Sequence, residues 1–144
     1  MARPRGPSAR VVMNRQAIDQ VHLAVGDGVL AVAEEIVRTA TPPDATPFGE
    51  GLVDRGGWLG YVGSKKIGGG SLDGRQPKKP RALRVRGSEE IVAIAGFGFP
   101  GRLQELGTAH HGSQPFLTPA GQNVSDRAPE IMRDRVPDSL RGIR

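Results

Sequence analysis

Between Asn14 and Thr39 the apolar residues Ile18, Val21, Val25, Val29, Val32 and Ile36 recur at intervals of three and four. That period predicts a long amphipathic helix. Asn14 is placed to cap its start, Glu34 and Arg38 to pair across one turn, and Pro42 and Pro43 to close it. Gly26 and Gly28 interrupt it, each weakening a helix interior by roughly 1 kcal/mol relative to Ala, so a kink or a close packing contact is expected there. Residues 40–57 are dominated by Pro, Gly, Thr and Asp and read as a loop.

Further along, the pattern shortens. WLGYV at 58–62 reads as a strand, and RALRVR at 81–86 alternates like a half-exposed one. EIVAIAGF at 90–97 is apolar on both faces, which suits a central strand or one covered by a neighbouring subunit. Gly87 and Ser88 join the last two as a hairpin turn. The stretch from Gly63 to Pro80, with Gly68, Gly69 and Gly70 in a row, predicts a flexible excursion without regular structure. A short turn or helix at 100–106 is followed by Thr118, read as a cap, and Pro119 at the first helical position. The final helix is expected to reach about Arg135, kinked or restarted at Pro129. The order predicts an α+β fold: a long N-terminal helix, a small antiparallel sheet with an extended hairpin loop, and a C-terminal helix. The expected organisation is a mobile basic arm over 1–13, one domain over 14–136 and a tail over 137–144.

Composition sharpens this. The chain has 144 residues, of which only six are aromatic, with 21 Gly and 12 Pro. So few large anchors and so many loops favour a chain that gains order by assembly. Formal charge is +5, and Lys65, Lys66, Arg75, Lys78, Lys79, Arg81, Arg84 and Arg86 face Asp73 alone across 65–86. A basic segment of this kind suits phosphate or an acidic protein surface, but no aromatic interleaves it for base stacking. Cysteine is absent, which excludes disulfides and thiolate chemistry. Neither a signal-type apolar segment nor a run of about 18 apolar residues predicts export or membrane insertion.

Catalytic motifs are thin. Gly96, Gly98 and Gly101 fit G-x-G-x-x-G, yet Pro100 precedes the third glycine and no second strand ending in an acidic residue follows. His110 and His111 are adjacent, so in an extended chain they point apart and do not readily share a metal. No catalytic residue, cofactor site or metal site is expected.

The segment LQELGTAHHGSQPFLTPA, 103–120, resembles the signature of small neck and tail-completion proteins, the head-tail connectors of long-tailed bacteriophages. The matching positions are Glu105, Leu106, Gly107, Thr108, Pro115, Phe116, Leu117, Pro119 and Ala120. Thr41-Pro42 after the first helix and the Gly51-Leu52 step agree with it, while Pro100-Gly101 and Thr118 depart from its usual Tyr-Ala and Arg. The resemblance implies a structural virion protein and no enzyme. It implies a homo-oligomeric ring, hexameric or else dodecameric, between the head connector or stopper and the tail tube, around channel DNA. Such a protein assembles in the host cytoplasm and resides in the virion neck. A minor tail component is the alternative within that class, and a free basic nucleic-acid-binding protein the alternative outside it. Physically, Glu105 can accept backbone N–H bonds or pair with an arginine, Gly107 can take a positive φ, and Thr108 can bond the turn backbone.

Overall fold

The computed structural model describes residues 14–42, 45–46, 49–50, 52–75 and 90–141. Helix α1 spans Arg15–Thr39, and Asn14 accepts the Gln16 N–H at 3.0 Å as its cap. Two short strands, β1 Ala45–Thr46 and β2 Gly49–Glu50, pair antiparallel, and a 3₁₀ turn covers Leu52–Arg55. Strands β3 Gly57–Val62, β4 Lys65–Ser71 and β5 Ile91–Gly96 form an antiparallel sheet in the order β4-β3-β5. Helices α2 Gly98–Leu106 and α3 Leu117–Arg141 complete the chain. The α+β fold class predicted from the pattern is the fold observed.

α1 lies between the sheet and α3, and this explains its unusual burial. Its deepest positions are Ala24, Gly26, Gly28, Ala33 and Val37, not the predicted valine stripe, and Val21 is 47% exposed. A helix covered on two sides buries its small residues where neighbours approach closest. A Cβ at Gly26 would lie 2.6 Å from Ile67 Cδ1 on the sheet side, and one at Gly28 would lie 2.8 Å from Val136 Cγ2 on α3. The glycine pair therefore marks close packing on both flanks of one helix.

The triple glycine overturns the expectation of an unstructured excursion: Gly68, Gly69 and Gly70 lie inside β4. Here glycine gives up its freedom because its neighbours need the room. A Cβ at Gly70 would meet the Trp58 indole at 2.7 Å, and one at Gly69 would meet Trp58 O at 2.8 Å. Trp58 anchors the core, joined by Ala33, Val37, Ala40, Phe97, Phe116 and Ala120. The Arg38 guanidinium, bonded to Glu34 at 2.8 Å, sits 5.5 Å from the centre of the Trp58 ring.

One further expectation changes. Among the described residues β3 stands between β4 and β5. α3 begins at Leu117 and runs to Arg141 through Pro129 and Pro137, so it passes the predicted end near Arg135. The arm over 1–13, the strand over 81–86 and its turn at Gly87-Ser88 fall outside the described residues.

Candidate assembly site

The last turn of α2, the loop after it and the first turn of α3 form one hydrogen-bonded corner. α2 ends at Gly107, which has φ +77° and donates its N–H to Leu103 O at 2.7 Å. A Cβ at Gly107 would stand 2.7 Å from Ser113 N and 3.0 Å from His111 O, so both conformation and space select glycine. Thr108 closes the loop: its N–H donates to His111 O at 2.8 Å, and its Oγ1 accepts from the N–H groups of His111 at 3.1 Å and His110 at 3.3 Å. Both histidines are exposed.

Glu105 ties the corner to α3. Its Oε2 accepts the N–H groups of Phe116 at 2.8 Å and Leu117 at 2.9 Å, and its Oε1 accepts the Thr118 N–H at 2.7 Å together with the Thr118 hydroxyl. The unpaired donors that open any helix are thus satisfied from another element. Thr118 lies within the first turn and is not the cap that the Thr-Pro sequence suggests. Pro119 occupies the same turn, where a missing N–H is tolerated. Partial burial would raise the Glu105 pKa, but the Thr118 hydroxyl and the three N–H groups outweigh it and hold the carboxyl below its ordinary value.

Packing completes the corner. The Phe116 ring meets Phe97 edge to face at 5.1 Å, and Phe116 and Ala120 are buried. Leu117 is half-buried, whereas Pro115 and Pro119 are exposed. Leu106 is 66% exposed, and it borders a cleft of about 640 Å³ lined also by Ile94, Phe97, Arg102 and Leu117. Sequence reasoning missed Gln104, which is 2% exposed. Its carbonyl accepts the Gln114 N–H at 2.9 Å and its side-chain amide donates to Gln114 Oε1 at 2.7 Å, bracing the loop. Two glutamines ten residues apart carry no spacing signal that would announce such a brace.

The basic segment is only partly brought together. Lys65 and Lys66 are exposed at the start of β4. Arg75 lies beyond its end, 3.9 Å from Asp73, whose carboxyl is held below its ordinary value by the Arg75 N–H and the Ser71 hydroxyl. Lys78, Lys79, Arg81, Arg84 and Arg86 lie outside the described residues. Gly98 opens α2 with φ +74°, but β5 runs antiparallel to β3, so the parallel strand-helix-strand unit of a dinucleotide site is not formed by these elements. Among the described residues no group of three or more His, Asp or Glu side chains is arranged to hold a metal, and no helix is long and apolar enough to cross a membrane. No protein-family model matches the chain, and neither a curated protein nor a solved structure does.

Proposed function

We propose that this chain is a structural subunit of the head-to-tail junction of a long-tailed bacteriophage, repeated in a ring around the DNA channel and carrying no catalytic activity. The observation that carries the reading is the corner itself. The signature positions Glu105, Gly107, Thr108, Phe116 and Ala120 act together as cap, turn, loop closure and core, and the chemistry of each is structural. Such a corner sets the angle between a small sheet and a long helix, which a subunit repeated around a ring must hold constant. Leu106, left largely in water beside an apolar cleft, adds surface suited to burial by a neighbour.

Removal of the gene from the phage genome that carries it tests this. The expected outcome is filled heads and separate tails that fail to join, with joining restored when the chain is supplied in trans. Normal numbers of joined, infectious particles without the chain would overturn the proposal.

A further inference from the structure

Exposed carboxylates and exposed lysines stand on different sides of α1. On α3, Asp126, Glu130 and Asp134 stand four residues apart and so share one side of the helix, and all three are exposed, with the exposed Arg133, three residues after Glu130 and seven after Asp126, standing among them. Asp138 continues the row. α1 covers the other side, where Val124 is fully buried and Met132 and Val136 lie against Gly28. The arginines Arg127 and Arg135 reach back across α1, to Glu35 at 3.3 Å and to Asp27 at 3.1 Å. Among the described residues none of Asp126, Glu130 and Asp134 takes part in an ion pair.

The sheet lies on the other flank of α1, and Tyr61 on its far side is buried. A Cβ at Gly60 would point at Leu30 of α1, so the alternate residue Tyr61 and its cross-strand partner Lys66 point away from α1. Lys66 and the adjacent Lys65 are exposed, and neither takes part in an ion pair among the described residues. The layer order sheet, α1, α3 therefore sets the exposed Lys65-Lys66 end of the hairpin and the carboxylate row of α3 on opposite sides of α1.

The acidic row is unfavourable to the helix that bears it. Like charges four residues apart weaken a helix. Such a local conflict is expected where a surface has a partner. A head-to-tail contact joins two different surfaces of the same chain, and a closed ring is built from contacts of that kind. We propose that the Asp126, Glu130 and Asp134 face of α3 in one copy docks on the Lys65-Lys66 end of the β3–β4 hairpin in the next copy. This deepens the ring reading and rests on it.

Charge reversal on the full-length chain tests the contact, with sedimentation velocity as the readout and circular dichroism to confirm that the variants fold. The triple variant Asp126→Lys, Glu130→Lys, Asp134→Lys and the double variant Lys65→Glu, Lys66→Glu are each expected to weaken self-association by about tenfold or more. Mixing the two is expected to restore it, because each supplies the face the other lacks. Association of the wild-type chain should also fall between about 0.1 M and 1 M salt, as the screening length shrinks from about 10 Å to about 3 Å. Should the triple variant be poorly folded, the single pair Glu130→Lys and Lys66→Glu carries the same test. Variants that assemble like wild type, or a mixture that fails to recover, would overturn the contact while leaving the ring reading intact. A wild-type chain that stays monomeric at about 0.1 mM would overturn both.

Discussion

Helices α1 and α3 have the same length, 25 residues, but are held in place by different means. α1 carries its own cap in Asn14, contains no proline and is covered by the sheet on one flank and by α3 on the other. α3 begins on a carboxylate supplied by α2, contains Pro129 and Pro137, and beyond its first turns rests on α1. The first helix is specified locally and then packed. The second depends on its neighbours for its start and its seat, which makes it the element whose position the corner controls.

The largest effect expected from breaking this comparison comes from the buried valines. Among the described residues Val37 in α1 and Val124 in α3 are the largest fully buried side chains. Replacing either by Ala removes about two methylene equivalents and leaves a cavity, a loss of roughly 2–3 kcal/mol. Urea unfolding should show similar losses for the two variants and one cooperative transition. If Val124→Ala cost far less than Val37→Ala, α3 would be a loosely attached element and the corner would position little.

The contrast also explains what could be read in advance. The limits of α1 follow from its 3.6-residue period, Asn14 and Pro42, because those signals are local. Which of its residues are deepest does not follow, since Ala24 and Ala33 are selected by the approach of the sheet and α3. The same holds for β4: three glycines weaken a strand by themselves, and only their tertiary neighbours, Leu30 at Gly68, the Trp58 carbonyl at Gly69 and the Trp58 indole at Gly70, make them necessary. At the corner, the roles of Glu105, Gly107 and Thr108 follow from side-chain chemistry and the turn that glycine permits. The true start of α3 was hidden because its capping group comes from a different helix, beyond any local motif.

A smaller effect is expected at Glu105, and it depends on pH. Glu105→Ala leaves three backbone donors without their acceptor, two of them partly buried, a loss of about 1–3 kcal/mol. Because the folded carboxyl titrates below its ordinary value, its contribution is fully present above the unfolded pKa of about 4.3. It declines as pH falls below that value and is gone once the folded group is protonated. The difference in stability between wild type and Glu105→Gln, measured by urea unfolding from neutral pH into acid, should therefore shrink below about pH 4. A difference that stays constant into strong acid would mean that the carboxylate charge is not what secures α3.

Asn14 should show the smallest effect, and the contrast with Glu105 is what makes it informative. Both groups cap a 25-residue helix, but the Asn14 side chain is exposed and accepts a single N–H from Gln16, two residues away. Removing an exposed cap costs about 0.5–1 kcal/mol in most helices. Here the loss should stay local, because the residues after Asn14 remain half-buried or exposed until Ala24 and contribute little to the core. Hydrogen exchange in Asn14→Ala should quicken at the amides of the first α1 turns and leave those near Val37 unchanged. Glu105→Ala should instead speed exchange along α3 and at Phe116, since its carboxylate joins two elements. If Asn14→Ala loosened the whole molecule as much as Glu105→Ala, the distinction between a helix that caps itself and one capped from outside would carry no energetic weight.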